Sequence, residues 1–436
     1  MVLVTNGRLI TRDSEGKGYY EHGAVAYEGA KIVEVGEEAA LRAKYADAEI
    51  VDAKGGVIMP AFINAHTHIY SALARGLSIV GNNPTNFYEV LDGTWWAIDR
   101  HLMMDGTRAS ATALYIDSIK QGVTTIFDHH ASYGEIPGTL FTISEESRRL
   151  GLRSCLCYEV SDRDGEEKCL QAIKENADFI TYCQKQNDPM LAAMFGGHAL
   201  FTISDKTFDR MVEANNGRTG YHIHVSEGMN DVYDSLQNYG RRPVQRLQDH
   251  GILGEKTILG HCIHVNTAEM DIIRETNTMV VNNPESNMGN AIGIPVCMGT
   301  DAYTNDMLES LKVALCSQRS QNCLPNVGWC EVTDMLFKNN AKIGARYFPD
   351  QLGVLKAGAA ADIIVMDYKP FTPFSDENID GHMIFGMTGR QCQTTIAAGK
   401  VLMKDRVLVN IDEEAENAHI LEAAKKLWGD LNHRVY

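Results

Sequence analysis

The middle of the chain alternates apolar runs of strand length with longer stretches whose apolar residues recur at helical spacing. The strand-like runs fall at 57–63, 124–128, 153–160, 191–195, 220–225, 257–261, 278–283 and 295–298. Helical candidates lie between them at 106–121, 143–150, 165–185, 206–214, 241–250 and 268–274. Eight strands alternating with helices predict an α/β fold, a parallel (β/α)8 TIM barrel over residues 58–347. An open doubly wound sheet is the alternative. No Gly-x-Gly-x-x-Gly follows the first strand and no phosphate-binding loop occurs, so the usual reason to prefer that sheet is missing.

The two ends of the chain read differently. Residues 2–4, 9–11, 24–27, 31–35 and 50–51 are short strands divided by glycine turns, with one helical stretch at 37–45. Short strands return at 361–366, 393–397 and 401–403. Sheet pieces this small need partners to bury a core. They predict a small β-sandwich domain assembled from residues 1–57 and 348–436, the latter ending in a helix over 413–432. One connection is short. Residues 283–293 run almost directly from strand 7 into strand 8, where a parallel crossover generally takes a dozen residues or more.

Composition narrows the function. With 436 residues, 44% hydrophobic and 22% charged, the chain is ordinary globular material. A net charge of −17 without a basic cluster argues against nucleic acid and anionic membrane as partners. No apolar run reaches the roughly 18 residues of a membrane span, and the N-terminus lacks the pattern of a signal peptide. Ten cysteines scattered without a Cys-x-x-Cys pair fit a reducing, cytoplasmic setting.

The candidate chemistry starts at the end of strand 1, in Asn64-Ala-His-Thr-His68. Side chains two apart on a strand share a face, so His66 and His68 aim at one point. His224 ends strand 5, His261 ends strand 6 and Asp301 ends strand 8. Active sites of such barrels sit at the C-terminal strand ends. Packing gives no reason to place histidines there. His66, His68, His224 and Asp301, three nitrogens and one carboxylate, suit one divalent metal, zinc first and iron second. A bound zinc lowers the pKa of its water towards roughly 7. Glu227 stands three residues after His224, just past the strand end, facing the substrate space. That favours His224 over His222 as the ligand and leaves His222 in the core or behind the ligands.

Asn64-Ala-His-Thr-His68, His222-Ile-His-Val-Ser-Glu227, Leu259-Gly-His-Cys262 and Met298-Gly-Thr-Asp301, in this order, resemble the amidohydrolase superfamily. The nearest branch holds the guanine, cytosine and adenosyl-homocysteine deaminases and the triazine chlorohydrolases. Asp128-His-His-Ala-Ser132, Trp95-Trp96 and Gly386-Met387 are more similar still to the SsnA-type aminohydrolases. The resemblance implies a metal-dependent hydrolase of a non-peptide C–N bond that deaminates a small cyclic purine- or pyrimidine-like substrate. Cleavage of a cyclic amide or displacement of chloride at the same site is the alternative, and a non-catalytic scaffold a further one. The resemblance makes Glu227, His261 and Asp301 catalytic. Glu227 would shuttle a proton to a ring nitrogen, His261 would orient the hydroxide and Asp301 would accept the water's proton.

The superfamily's binuclear branch uses a carboxylated lysine on strand 4. Residues 190–198 contain none, so a single metal is expected. His198 matches a substrate-facing histidine of related deaminases. Trp96, beside Trp95 on the long excursion after strand 1, is in position to stack on a planar ring. Tyr70, Arg75, His129 and Tyr303 also fall near strand ends. Relatives suggest a homodimer. Cytidine-type zinc deaminases are disfavoured because their Pro-Cys-x-x-Cys segment is missing. A zincin protease is disfavoured because His-Glu-x-x-His is missing.

Overall fold

The computed structural model describes residues 1–286 and 294–436. Its centre is a barrel of parallel strands in two hydrogen-bonded arcs. One arc holds Phe62–Thr67, Val123–His130, Arg153–Tyr158 and Leu191–Ala193; the other holds Phe195–Ala199, Tyr221–Val225, Ile258–His261, Met279–Asn282 and Val296–Met298. Parallel bridges close both seams, Val160 to Gly197 on one side and Thr67 to Asp301 on the other. The fourth strand is interrupted at Met194, which accounts for the first seam.

The second seam, between the first and last strands, is fastened by a side chain. Asn340 Nδ2 donates to the Ile63 carbonyl at 2.7 Å and to the Met298 carbonyl at 2.8 Å, while its Oδ1 accepts from Met298 N at 2.8 Å. Gly299 allows the close approach here. A Cβ would stand 2.7 Å from the His66 carbonyl oxygen. Barrel strands are buried along their whole length, which is why they read as continuous apolar runs rather than alternating ones.

Two strand boundaries move from the sequence reading. Residues 57–63, read as one strand, are two. Val57–Pro60 joins the peripheral sheet and only Phe62–Thr67 enters the barrel. Strand 2 continues past Asp128 to His130 and so carries His129 into the barrel interior. Strands 7 and 8 pair in parallel, Val280 opposite Val296. Most of the short 283–293 connection noted above, residues 287–293, lies outside the described residues.

Strands from both chain ends form one nine-stranded sheet, in which Val57–Pro60 lies between Val2–Ile10 and Ile363–Met366. Both faces are covered. Val4, Val25, Ile58, Ile363 and Val365 pack on one side; Leu3, Ala24 and Ala26 pack on the other against Leu41 of the helix Glu38–Lys44. A buried polar knot ties this sheet to the barrel floor. The Arg153 guanidinium at the start of strand 3 pairs with Asp362. Asp362 also accepts from Thr124 Oγ1 at 3.0 Å and from Ala398 N at 2.7 Å. The helix Glu413–Asn432 reaches the excursion after strand 1, where Trp428 Nε1 donates to the Leu73 carbonyl at 2.8 Å.

Candidate metal centre

The fold delivers His66, His68, His224, His261 and Asp301 to one rim, all buried. The groups His66–His68–Asp301, His66–His224–His261 and Glu227–His261–Asp301 each place their donor atoms within 4.8 Å of one another. The His68 and Asp301 side chains meet at 3.3 Å, Nε2 to Oδ1. His261 Nε2 lies 3.9 Å from the other Asp301 oxygen and 3.5 Å from Glu227 Oε2.

The backbone is bent to achieve this. His261 and Asp301 have φ of +69° and +54°, and Ser226, which turns the chain towards Glu227, has φ of +50°. Non-glycine residues seldom adopt this region, and such strain collects at functional sites. At Asp301 it is held by hydrogen bonds from Thr300 N and Asp301 N to the His66 carbonyl, at 2.9 and 3.1 Å.

A chain of hydrogen bonds runs through His68, His129, His222 and His66. His68 Nδ1–H donates to the His129 carbonyl at 2.6 Å, which turns Nε2 towards Asp301. His129 Nε2–H donates to the His222 carbonyl at 3.0 Å. His222 Nε2 meets His66 Nδ1 at 2.8 Å. His66 Nε2 and His224 Nε2 are buried with no hydrogen-bond partner among the described residues. Burial, and then the neighbouring imidazoles, push the pKa of both well below the usual histidine value, so both are neutral. Neutral, buried nitrogens without partners are costly unless something coordinates them. The donor set and these orphaned atoms therefore fit a divalent metal ion.

The rim opens into a cavity of about 200 Å³ walled by Tyr70, Phe87, Trp95, Phe201 and Tyr303. Glu227, Glu159, His198 and Asp301 also line it. Of the two tryptophans, Trp95 forms the wall. Trp96 is buried behind it and donates from Nε1 to His198 Nε2 at 3.3 Å. His198 Nδ1–H in turn donates to Thr202 Oγ1 at 2.9 Å. Both His198 nitrogens are thus engaged within the protein, and burial lowers its pKa to about 3. Arg75 stays at the surface, paired with Asp117 at 2.9 Å.

One carboxylate escaped the sequence reading. Glu159, just past strand 3, is buried 3.1 Å from His129 Nδ1 and 3.5 Å from His68 Nδ1. Burial alone would raise it, but the surrounding imidazoles, His129 foremost, outweigh that and hold it at about 2. A charged residue near the end of an apolar run, at 153–160, was the available signal.

Among known proteins, residues 57–402 match the model of the amidohydrolase family. A 5-methylthioadenosine/S-adenosylhomocysteine deaminase of Thermococcus sibiricus is 30% identical over 421 residues, covering 92% of this chain and 94% of the relative. A 5'-deoxyadenosine deaminase of Methanosarcina mazei is 28% identical, over 100% of this chain and 99% of the relative. A zinc-bound adenosine deaminase structure from Xanthomonas campestris superposes with a TM-score of 0.83 at 22% identity, covering 98% of each chain. A zinc complex of an atrazine chlorohydrolase from Arthrobacter aurescens gives 0.80 at 22% identity, covering 97% of this chain and 100% of that one. At these identities the structural matches carry the fold.

Proposed function

We propose, since the chain belongs to the amidohydrolase family, that it catalyses the metal-dependent hydrolytic deamination of a small cyclic, purine-like substrate. The observation that carries this reading is the pair of buried Nε2 atoms of His66 and His224, without hydrogen-bond partners among the described residues, on the rim shared with His68 and Asp301. Coordination there is by His66, His68, His224 and Asp301. A divalent ion held by these residues would bring the pKa of a bound water down towards roughly 7 and so supply a nucleophile at neutral pH. Three imidazoles and one carboxylate favour zinc over iron.

The side chains do the proton work. Asp301 accepts a proton from the attacking water, and His261, 3.9 Å from Asp301, orients that water. Glu227 delivers a proton to the ring nitrogen next to the carbon under attack, dispersing charge from the tetrahedral centre. The adduct's hydroxyl proton then returns to Glu227 as the carbonyl forms, Asp301 passes its proton to the amino group, and the C–N bond breaks to release ammonia. Its carboxyl lies 3.5 Å from His261 and 3.4 Å from Ser286 Oγ, on the cavity wall where such a ring would sit. Trp95, Tyr70 and Phe201 offer apolar faces for a planar ring, and His198, braced by Trp96 and Thr202, forms part of the same wall. The relatives named as deaminases of adenosine derivatives support a nucleoside-like substrate. This reading includes a homodimer in the cytoplasm, checked by solution mass and by cell fractionation.

The test is ammonia release from the metal-loaded protein across a panel of adenine nucleosides, free nucleobases, pterins and triazines. Ammonia from a purine compound, together with one equivalent of zinc at the rim, is the expected result. Ring-opened product or chloride without ammonia would move the assignment to a different hydrolase on the same fold. No turnover of any cyclic compound by zinc-loaded protein would overturn it.

A further inference from the structure

The proposed chemistry leaves one carboxylate of the cavity without a task. Glu159 stands just past strand 3, His198 lies in strand 4 and Glu227 follows strand 5, so the three come one after another along the rim, and all line the cavity. The Glu159 side chain is 2% exposed, and its two oxygens differ. Oε1 faces His129 Nδ1 at 3.1 Å, a contact satisfied by a proton shared within that pair. With the proton held there, Oε2 has none to offer and is an acceptor only. Among the described residues no donor reaches it. His198 Nε2, 3.8 Å away, is too distant and bears no proton, because it accepts from Trp96 Nε1–H. His198 Nδ1–H is committed to Thr202.

A buried acceptor without a donor is costly. The open space beside this one is the substrate cavity, so the donor comes from what enters it. Apart from the imidazoles, the charged side chains lining the cavity among the described residues are all acidic: Glu159, Glu227, Asp231 and Asp301. Asp231 is committed to the backbone N–H groups of Phe201 and Ser226, at 2.9 and 2.6 Å. Glu227 and Asp301 move protons in the reaction. Glu159 is the carboxylate left for recognition. In an adenine nucleoside every free ring nitrogen is an acceptor, and the base's N–H donors belong to the amine that leaves. An amino-oxo heterocycle of guanine, isoguanine or pterin type carries a ring N–H that stays through the reaction.

We propose, resting on the deaminase reading, that Glu159 Oε2 determines specificity by accepting a ring N–H, and that the substrate is an amino-oxo purine or pterin rather than an adenine nucleoside. Glu159 holds one edge of the ring while Glu227 serves the nitrogen next to the carbon under attack. No bond to Glu159 forms or breaks in the reaction. A site built around such an acceptor rejects a ring that lacks the donor, because the buried oxygen is then left unpaired.

Zinc-loaded, full-length protein is compared on two matched pairs, each as the 9-methyl base and as the riboside: guanine against 2-aminopurine, and isoguanine against adenine. Within a pair the amine sits on the same carbon and one member alone has the ring N–H. Ammonia release is expected to favour that member by about 10–100-fold in kcat/KM in one pair or both. Glu159→Gln keeps the shape and removes the charge. It is expected to lower kcat/KM for the favoured member by a similar factor and to leave that of its partner, and the zinc content, unchanged. An equal loss on both members would make Glu159 a brace for His129 and overturn the proposal. Where that variant loses zinc, the wild-type preference alone decides. No preference in either pair, or a preference for the member without the N–H, would overturn it while leaving deamination standing. If no compound yields ammonia, calorimetric binding of the same pairs reads the preference without turnover. Tighter binding of the N–H member, lost in Glu159→Gln, would then uphold the recognition as the deaminase reading falls, and equal or absent binding would overturn both.

Discussion

The barrel carries a buried polar cluster at each end, and the two are built on opposite rules. At the floor, the Asp362 carboxylate is saturated: Arg153, Thr124 and Ala398 all donate to it, and the knot welds the peripheral sheet to strands 2 and 3, although Arg153 keeps Nε and Nη2 buried without a hydrogen-bond partner among the described residues. At the mouth, Nε2 of His66 and of His224 has no hydrogen-bond partner among the described residues, and His261 and Asp301 hold left-handed backbone. A buried polar group that has its partners serves the fold. A metal-competent nitrogen held rigidly without one, on a rim where other donors converge, is prepared for something that arrives from outside. The same scaffold pays for the second by means of the first.

The contrast predicts that mutations will separate cleanly into losses of chemistry and losses of stability. The largest effect is expected from Glu227→Gln, which should lower turnover by about 10²–10⁴-fold while metal content and melting temperature stay at wild-type values. Near-normal turnover in that variant would remove Glu227 from the mechanism. Arg153→Met should do the reverse. It leaves Asp362 buried without its cation and should destabilise the fold by about 3–5 kcal/mol, read by chemical denaturation, with unchanged turnover per folded molecule. A specific loss of turnover there, at full stability, would break the comparison.

His222→Phe tests the boundary between the two rules, since His222 braces His66 through the 2.8 Å ring contact. It should weaken metal binding by about 10–100-fold, measured by competition with a chromogenic chelator, with a smaller effect on turnover at saturating metal. The smallest effect concerns His130, at the end of strand 2, whose two ring nitrogens are buried without hydrogen-bond partners among the described residues. Burial lowers its pKa to about 3 from an ordinary value of 6.5. The unfolded chain therefore takes up its proton first. The stability His130 contributes is present above pH 6.5 and is lost as pH falls from there towards 3. His130→Phe should flatten that acid limb in metal-free protein. An unchanged slope would show that other groups control it.

Much of this was readable from the chain. The His-x-His pair, His224, His261 and Asp301 stood at strand ends because barrel strands are apolar throughout, so a polar ligand at the end of each run is conspicuous. Periodicity and turn residues led to a helix over 413–432 and a small β-sandwich from both chain ends; the structure has the helix Glu413–Asn432 and a single nine-stranded sheet drawn from both ends. Glu159 and His129 were less legible. His129 sits inside a strand that extends two residues further than its apolar run, and a single carboxylate after strand 3 is common enough to pass unnoticed. Trp95 and Trp96 were indistinguishable by sequence, since adjacent helical side chains diverge and only packing selects which one meets the cavity.

The sequence by itself determined which residue types stand at the strand ends and hence that the chain could assemble a nitrogen-rich metal site on a parallel barrel. Tertiary structure alone decided which of those atoms are spent and which are bare. Whether an imidazole nitrogen is a ligand or a brace depends on what its other nitrogen touches, and that partner comes from a different strand, up to 156 positions away for His66 and His222. Periodicity reports the face a side chain occupies; only closure of the barrel sets the few ångströms that distinguish a hydrogen bond from an open coordination position.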